Sequence, residues 1–285
     1  MIVHGNAEPQ NPERVVLLGA RGFIAAALRR RLQADKVNVL ALGSVEIDLT
    51  QPSAVAMLGD QLKAGDALVM LSALTPDKGR DVATMMKNLA MMQHVGAALE
   101  RTGCAHLVYY SSDAVYPFAA GLVSEETPAA PQDLYGAMHL AREIMARSFG
   151  KVPLLVLRPT LVYGAGDTHN AYGPNRFRRA AKDGNIQLFG EGEERRDHIH
   201  VDDVAAITAR CVQRRSTGTL NLATGSSWSF RAVAELVASQ FSPPPAVRGT
   251  PRANPVTHRH YDITNLLKAF PDFRFIPLQE GIGRG

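Results

Sequence analysis

The chain of 285 residues has few of the features that mark secreted, membrane or metal-rich proteins. Its two cysteines, Cys104 and Cys211, are far apart, which argues against a disulfide framework or a cysteine-rich metal site and predicts a reducing, cytoplasmic location. No apolar run approaches the roughly 20 residues that a membrane-spanning helix needs, so no membrane partner is expected. Residues 1–13 lack the apolar core of a signal peptide and are predicted to form a flexible tail.

Aromatic residues and excess charge are also scarce. Aromatics make up 6% of the chain, and 31 lysines and arginines against 27 acidic residues leave a net charge of +4. The short basic runs at 29–31, 178–179 and 214–215 are scattered, with no interleaved aromatic side chains on which bases would stack. No nucleic-acid partner is therefore expected, and the arginines favour solvated helix faces and contacts with a small anionic substrate.

Strand-like and helical segments alternate along the chain. Apolar runs of strand length occupy 14–20, 37–42, 67–73, 106–112, 154–160 and 219–223. Helical patterns separate most of them, at 22–34, 52–63, 80–102, 133–149 and 202–213. This alternation predicts an α/β fold of Rossmann type, with a doubly wound, mostly parallel sheet covered by helices on both faces. Ligands of such sheets bind where the strands end, at the carboxyl edge.

The carboxyl half has a different composition. Residues 161–200 are rich in Gly, Asn, Arg and His, and five prolines fall within 241–257. We interpret residues 14–285 as a single Rossmann-type domain whose carboxyl edge carries a small substrate lobe. The lobe is predicted to come mainly from 164–200 and 225–285.

The helical segment 80–102 carries a broad apolar stripe that includes four methionines. Core packing is the first explanation for such a stripe, and a protein interface is the second. Both hold if this segment and 133–149 pair with their copies, so a homodimer through these two helices is expected.

The segment 15–28 has the order of a dinucleotide-binding turn, namely an apolar strand, a glycine-bearing turn and a helix. Gly19 allows the chain to turn sharply out of the strand, and Gly22 removes a side chain where a phosphate would approach the backbone. The following helix offers free N–H groups and the positive end of its dipole. A tight strand-to-helix turn without a ligand would explain the same glycine pair, and Ala25 stands where a third glycine often lies.

Two further segments carry groups that can move a proton. Ser112 ends the fourth apolar run, and Tyr135 lies in the helical segment 133–149. Tyr135 and His139 are four residues apart, so they share one face of that helix. A tyrosine hydroxyl, a serine hydroxyl and a nearby nitrogen base can exchange a proton with a carbinol while a nicotinamide exchanges hydride.

These motifs, in this order, resemble the extended short-chain dehydrogenase/reductases of the NAD-dependent epimerase/dehydratase type, which act mainly on nucleotide sugars. The resemblance runs from about residue 14 to about residue 280 and rests on GARGFIA at 19–25, DLT at 48–50, LSA at 71–73, RPTLVYG at 158–164 and RDHIHVDDV at 196–204. It implies an NAD(P)-dependent oxidoreductase or epimerase that acts on a hydroxyl or keto carbon of a nucleotide-linked sugar. The cofactor contacts that it implies are Gly19, Gly22, Phe23, Ile24, Asp48, Leu49, Leu71, Ser72, Ala73, Asn88, Tyr135, His139 and Pro159. A solvent-facing polar residue is the alternative interpretation of Asn88.

The same resemblance places Ser112 on the family's catalytic serine or threonine and Tyr135 on its catalytic tyrosine. His139 would orient the ribose of the cofactor. Asp113 resembles the general acid of dehydratase relatives, although those relatives usually continue with glutamate and this chain has Ala114. An aspartate that caps the loop is the alternative interpretation.

One departure from the family's pattern matters most, because His139 occupies the position of the lysine that bonds the ribose and lowers the pKa of the tyrosine. Lowering a tyrosine pKa from near 10 to neutrality takes about three units, or roughly 4 kcal/mol. Histidine, with an ordinary pKa of about 6.5, is mostly neutral there and gives less electrostatic help. The alternatives are therefore a working variant, a non-catalytic dinucleotide-binding sensor or scaffold, and an RNA-binding relative of the fold. For a working site, His139→Lys is expected to keep or raise activity at neutral pH.

The choice between NAD and NADP depends on the end of the second strand. An acidic residue there would hold the ribose hydroxyls of NAD, but residues 41–44 have no carboxylate and the first one beyond them is Glu46. Arg21 could instead meet the 2′-phosphate of NADP with help from Ser44, so NADP is favoured over NAD.

Substrate contacts are predicted in the segment 167–177. Asn175, Arg176 and Arg196 are the best candidates, since arginine can grip the oxygens of a diphosphate in pairs. Surface solvation is the alternative for the other arginines of these loops.

No metal site is expected. The nearest set of suitable donors is His198, His200, Asp202 and Asp203. The two aspartates precede a helical pattern and are interpreted as its first turn, where carboxylates favour the helix dipole.

Overall fold

The computed structural model describes residues 2–150, 152–167, 173–252 and 254–284. The strands are β1 (Val15–Leu18), β2 (Val39–Leu42), β3 (Ala67–Met70), β4 (His106–Tyr110), β5 (Leu122–Val123), β6 (Leu154–Pro159), β7 (Leu161–Tyr163), β8 (Asn185–Phe189), β9 (Arg195–His200), β10 (Gly218–Leu222), β11 (Ser227–Ser229), β12 (Ala246–Thr250) and β13 (His260–Tyr261). The helices are α1 (Phe23–Ala34), α2 (Ala54–Gln61), α3 (Val82–Thr102), α4 (Leu134–Arg147), α5 (Gly173–Lys182), α6 (Val201–Gln213), α7 (Phe230–Ala238), α8 (Thr264–Ala269) and α9 (Leu278–Gly283). Within these four ranges, no helix is long and apolar enough to cross a lipid bilayer.

Six parallel strands form the central sheet, in the order β10-β6-β4-β3-β1-β2. Alternate side chains of a strand enter two different cores. Leu17 packs under α1, α6 and α8, whereas Leu18 packs under α2, α3 and α4. Burial on both faces explains why these strands are continuous apolar runs without polar alternation. The Rossmann-type, doubly wound sheet predicted from the sequence is confirmed, and its six strands match the six predicted runs.

The strand order reverses beside β1, whose neighbours are β2 on one side and β3 on the other. In open parallel sheets, nucleotides bind in the crevice that such a reversal opens at the carboxyl edge. The loops after β1 and β3 meet here, since the Leu71 N–H donates to the Leu18 carbonyl at 3.0 Å.

A second, smaller core joins α5, α7 and α9 with the parallel pair of β8 and β12. Part of 225–285 does not join this core. Leu266, Phe270 and Phe273 pack into the main core, where α8 contacts β10. Leu266 lies in α8, while Phe270 and Phe273 lie in the turn that follows it, so α8 and this turn together cover the main sheet.

The amino-terminal segment is anchored, where a flexible tail was predicted. Val3 and Thr217 exchange backbone hydrogen bonds of 3.0 and 2.8 Å, and Ile2 is buried in the main core. Further along, the Asn6 N–H donates to the Arg214 carbonyl at 2.9 Å. The polar side chains of the segment do not reveal these contacts, because backbone groups make them.

Helix α3 buries most of its methionine-rich stripe. Met91, Met92 and Val95 pack in the core that α3 shares with α2 and α4, which confirms core packing as one role of the stripe. Met86 of α3 and Ile144 of α4 point outward and are 56% and 62% exposed.

Candidate active site

The turn after β1 brings two backbones close together. Gly19 has a φ of +86°, and a Cβ at this position would lie 2.9 Å from the Ser72 backbone nitrogen, so any other residue would be both strained and too close. Gly22 is the N-cap of α1, and no side chain caps the helix or places an acid in its first turn. The N–H groups and dipole at the start of α1 therefore suit an anion such as a pyrophosphate.

Three other predicted cofactor residues also lie at the carboxyl edge. Phe23 and Ile24 form the first turn of α1 and pack partly against the main core. A Cβ on Gly164 would lie 3.5 Å from the Phe23 ring, so the loop after β7 covers the start of α1. Pro159 is buried at the carboxyl end of β6.

The end of β2 receives a carboxylate that its sequence spacing did not predict. Glu46 folds back so that its Oε2 accepts the Gly43 N–H at 2.8 Å, and this hydrogen bond lowers the pKa of Glu46. The Arg21 guanidinium lies 4.0 Å from the same carboxylate, and both side chains are exposed. Arg21 therefore stands beside an acid, which the prediction of NADP did not anticipate.

The DLT motif forms a small turn beyond β2. The Asp48 carboxylate accepts the Thr50 hydroxyl at 2.7 Å and the Thr50 N–H at 3.0 Å, and these bonds lower the pKa of Asp48. Leu49 is buried, and its carbonyl accepts a hydrogen bond from His94 Nδ1 at 2.8 Å. Asp48 is exposed and accessible to a ligand, while Leu49 is fixed by α3.

The loop after β3 is braced from α3. Leu71, Ser72 and Ala73 are partly buried and lead to Leu74, whose N–H and carbonyl both bond the Asn88 amide, at 2.8 and 3.1 Å. Asn88 is only 1% exposed, so its interpretation as a solvent-facing residue is wrong. Its amide holds the loop that carries the predicted cofactor contacts.

Close packing sets Tyr135 beside the loop after β4. Asp133 caps α4 by accepting the Gly136 N–H at 2.7 Å. A Cβ on Gly136 would lie 2.2 Å from the Ala114 carbonyl oxygen, so glycine lets the helix press against the loop that carries Ser112. Burial raises the pKa of Tyr135 to about 12, and the hydrogen bond from Ser112 opposes that rise. The structure thus brings Ser112 and Tyr135 together, as predicted.

His139 lies one turn further along α4 and is 2% exposed. Its ring packs edge-on to Tyr135, with centres 4.7 Å apart, and its Nδ1 bonds the Tyr109 hydroxyl at 2.8 Å. Its Nε2 is buried without a described partner. Burial, with a contribution from Arg142, lowers the pKa of His139 well below its usual value, so the ring is neutral near pH 7. It offers hydrogen bonds but no charge.

Arg142 completes this face of α4, although no sequence motif singles it out. It is fully buried, its Nη2 donates to the Ser72 carbonyl at 2.8 Å, and its guanidinium carbon lies 5.1 Å from the centre of the Tyr109 ring. Residues 135, 139 and 142 follow the spacing that places side chains on one helix face, and that spacing was the available signal.

Residues of the lobe bind one oxygen of the Asp113 carboxylate. Its Oδ2 accepts the Tyr261 hydroxyl at 2.7 Å and pairs with Arg259 Nη1 at 3.0 Å. Arg259 also donates to the Pro117 carbonyl at 2.9 Å. These contacts favour the loop-anchoring interpretation of Asp113 over that of a general acid.

The predicted substrate residues hold the lobe together. The buried Asn175 amide donates to the Gly164 carbonyl at 2.7 Å, and Arg196 donates to the Thr257 carbonyl at 2.5 Å and to its hydroxyl at 2.9 Å. The Arg176 guanidinium lies 5.4 Å from the centre of the Phe189 ring. In the predicted segment 167–177, residues 168–172 lie outside the described residues.

A small cavity opens in the lobe between α5, β8 and α7. Its walls are formed by Gly173, Arg176, Phe177, Gln187, Leu188, Phe189, Glu194, Phe230 and Arg252. Aromatic and aliphatic walls with two arginines suit a flat ring that carries an anionic group.

The histidines near the end of β9 serve the backbone. His200 caps α6 by accepting the Asp202 N–H at 3.2 Å on Nδ1, as expected for a helix start. Asp203 accepts the Ile276 N–H at 3.0 Å. Across the part of the chain that the structure describes, no group of three or more His, Cys, Asp or Glu side chains is placed to hold a metal ion.

Comparison with known proteins identifies similar enzymes. The model of the NAD dependent epimerase/dehydratase family matches residues 15–223. The chain is 25% identical to a dTDP-L-rhamnose 4-epimerase of Burkholderia thailandensis, over 98% of this chain and 95% of that one. It is 25% identical to a dTDP-4-dehydro-6-deoxy-D-allose reductase of Streptomyces bikiniensis, over 94% of this chain and 93% of that one. The solved structure of MoeE5 in complex with UDP-glucose and NAD is 25% identical, with a TM-score of 0.81 over 95% of this chain and 96% of that one.

Proposed function

The chain belongs to the NAD-dependent epimerase/dehydratase family, and we propose that it uses NAD to oxidise or reduce a hydroxyl or keto carbon of a nucleotide-linked sugar. The observation that carries the proposal is the grouping of Ser112, Tyr135 and His139 at the carboxyl edge, where the glycine turn of β1 meets Ser72. The named relatives support it, since they are an epimerase and a reductase of dTDP-sugars and a protein solved with UDP-glucose and NAD.

The described residues fit a bound dinucleotide, which supplies the hydride acceptor and donor. The uncapped start of α1 would bind its pyrophosphate. His139 Nε2, buried without a described partner, would bond a ribose hydroxyl, and Nδ1 stays fixed by Tyr109.

We propose NAD rather than NADP as the physiological cofactor. The Glu46 carboxylate, held at the end of β2 by the Gly43 N–H, is placed to accept the hydroxyls of the adenosine ribose. The same charge would repel a 2′-phosphate, and it lies beside Arg21, the residue that favours NADP in the sequence.

Tyr135 would hold and move the proton at the reacting oxygen of the sugar, and Ser112 would bond the same oxygen. The pKa of Tyr135, about 12 in the buried site, must fall before the phenol can act as a base near neutrality. A positive charge close to the phenol opposes the rise caused by burial, and the pKa of about 12 already includes the effect of Arg142.

We place the nucleotide of the substrate in the lobe. The cavity between α5, β8 and α7 would take the base against Phe189, and Arg176 and Arg252, which line it, would meet the diphosphate. Asp113 and Asn175 would shape the site by anchoring its loops.

Fluorescence titration with NADH and NADPH tests the cofactor assignment. We expect saturable NADH binding, about tenfold weaker NADPH binding, and a smaller difference in Glu46→Gln, which lacks the repelling charge. Failure to bind either nucleotide would contradict the assignment of the glycine turn.

Turnover is then tested with UDP- and dTDP-linked sugars, following product and cofactor together. An epimerase returns NAD unchanged, whereas a reductase consumes NADH in proportion to product. Tyr135→Phe is expected to lose activity by about 10²- to 10⁴-fold while still binding NADH. A protein that binds NADH but turns over none of these sugars would instead favour the sensor.

We also propose a cytoplasmic homodimer. Cys104 and Cys211 are free and buried, as suits a reducing compartment, and the outward Met86 and Ile144 lie on the two helices predicted to pair. Sedimentation should give a dimer, and Ile144→Glu should shift it toward monomer, while an unchanged profile would place the interface elsewhere.

A further inference from the structure

Arg142 is a buried cation without a buried acid beside it. Its side chain is 0% exposed, and no described carboxylate lies within ion-pair distance of it. Its surroundings are the Ser72 carbonyl at 2.8 Å, the Tyr109 ring, and the sulfurs of Met70 and Met138 at 3.5 and 3.9 Å. Its Nε has no hydrogen-bond partner among the described groups.

Such a charge is unfavourable for folding. Moving a cation out of water is strongly unfavourable unless an anion compensates it. A pocket of two thioethers and a phenol ring would accept an apolar side chain of the same length at least as well. Packing alone therefore does not account for a guanidinium at this position.

The position of Arg142 explains where its charge acts. It follows Tyr135 by seven residues and His139 by three, so all three side chains lie on the face of α4 that looks toward the loops after β3 and β4. Tyr109 lies between His139 and Arg142: its hydroxyl bonds His139 Nδ1, and its ring packs against the Arg142 guanidinium.

The other charges around Tyr135 have the opposite sign. Among the described groups, Asp113 on the loop after β4 and Asp133 at the start of α4 disfavour a phenolate, and Arg142 favours it. Tyr109 is a neutral neighbour on β4 whose pKa burial raises, and His139 is neutral as well. Arg142 is the cation that these elements bring to the phenol.

We propose that Arg142 supplies, from two turns along α4, the positive charge that stabilises the Tyr135 phenolate, while His139 keeps only the hydrogen bond to the cofactor ribose. The two tasks that one lysine performs in the family's pattern are then divided between two residues. The proposal deepens the proposed function and depends on Tyr135 being its acid and base. Arg142 acts through Tyr135, which makes it a positioning residue.

The first test needs neither cofactor nor substrate. The phenolate absorbance of Tyr135 is read after rapid pH jumps, with Tyr135→Phe versions of each variant used to subtract the other tyrosines. In Arg142→Met the pKa of Tyr135 should rise by about one to two units, so that its phenolate signal disappears at the highest pH reached. The matched control Arg147→Met removes an exposed charge from the same helix and should leave the titration unchanged. Equal titrations in the two variants would overturn the proposal.

Relocating the charge separates electrostatics from packing. The double variant His139→Lys/Arg142→Met should recover the phenolate signal, because lysine returns a cation one turn from Tyr135. A structural role for Arg142 gives no such recovery, so a double variant that titrates like Arg142→Met also counts against us. If Arg142→Met does not fold, Arg142→Gln replaces it, since its amide can still bond the Ser72 carbonyl.

Kinetics give an independent readout. With an active substrate, Arg142→Met should move the pH profile of kcat/KM to higher pH by the same one to two units. The rate at neutral pH should then fall by about 10- to 100-fold, while the KM for NAD stays nearly unchanged. A raised KM with an unshifted profile would contradict the proposal. Absence of turnover on every sugar would count against the proposed function, while the phenolate titration would still decide the role of Arg142.

Discussion

The two faces of helix α4 each carry a buried charge, but only one of these charges has an ion-pair partner among the described residues. On one face, Glu143 accepts Arg158 Nε at 2.9 Å and Nη2 at 2.7 Å, together with the Ser111 hydroxyl at 2.6 Å. Arg158 also donates to the Tyr116 hydroxyl at 2.9 Å. On the other face, the adjacent residue Arg142 has only a carbonyl, two sulfurs and an aromatic ring.

This difference distinguishes a charge pair that stabilises the fold from a single charge that can act on the candidate site. In the bidentate Glu143–Arg158 pair both carboxylate oxygens are bonded, so the pair fixes α4 to β6 and its two charges compensate each other. Arg142 has no such partner among the described groups, so its charge can still act on a neighbouring phenol. Asp197 is a third case, since its buried carboxylate is balanced by Thr224 and Ser226 N–H groups and the Thr224 hydroxyl rather than by a cation.

Removing Arg158 or Arg142 is expected to have the largest effect and tests directly whether the two faces of α4 differ. Arg158→Met leaves Glu143, 1% exposed, as a buried anion with a single partly exposed arginine, Arg147, at 3.5 Å, and should lower the free energy of unfolding by about 3–5 kcal/mol. Arg142→Met leaves no described acid unpaired and should change it by less than about 1 kcal/mol or stabilise the fold. Urea unfolding of the two variants measures the difference, and equal losses would show that the faces do not differ.

The pH dependence of stability tests the third case, the buried carboxylate of Asp197. Burial raises the pKa of Asp197 from its usual 3.8 to about 6, so the folded state holds this proton more tightly than the unfolded state. Its contribution is therefore favourable at low pH and is lost as the pH rises through about 4 to 6, by roughly 3 kcal/mol. Urea unfolding of the parent against Asp197→Asn should give a difference that changes over this range, and a constant difference would rule out the raised pKa.

A second cation on the Arg142 face gives a smaller effect. The sequence predicts that His139→Lys keeps or raises activity, but a lysine here would lie next to a buried arginine. We expect His139→Lys to lose about 2 kcal/mol of stability with Arg142 present, and little in the Arg142→Met background. A double-mutant cycle measures this coupling, and additive effects would mean that the two sites do not interact.

The smallest effect is expected where charge is solvated. Arg21 and Glu46 are 4.0 Å apart with 67% and 47% exposed side chains, so Arg21→Ala should leave the urea midpoint unchanged within error. A clear loss would mean that exposure does not govern the value of a charge pair in this protein.

The sequence predicts the sheet well because burial on both faces leaves a direct pattern of apolar runs. It also predicts that Tyr135 and His139 share a helix face, since helical spacing is local. Arg142 follows the same spacing, but the sequence does not mark it as a site residue, because a charged residue on a helix is ordinarily solvated. The local sequence pattern therefore predicts which residues form the site better than it predicts how deeply each of them is buried.

Other contacts could not be read from the chain at all. Glu46 reaches the end of β2 only because its loop folds back on Gly43. Asp113 meets Arg259 across 146 residues, a pairing that no local pattern encodes. The sequence left a cofactor contact and a solvent-facing position open for Asn88, and neither alternative revealed that its amide bonds Leu74 in the loop after β3.

The spacing of 135, 139 and 142 on one helical face also bears on how a sequence is judged to be inactive. A search that demands lysine at one fixed place would reject this protein. A cation one helical turn away still faces the loops after β3 and β4, so a missing charge and a displaced charge look the same at that single position. Scoring the whole helix face instead of one position would tell the two cases apart.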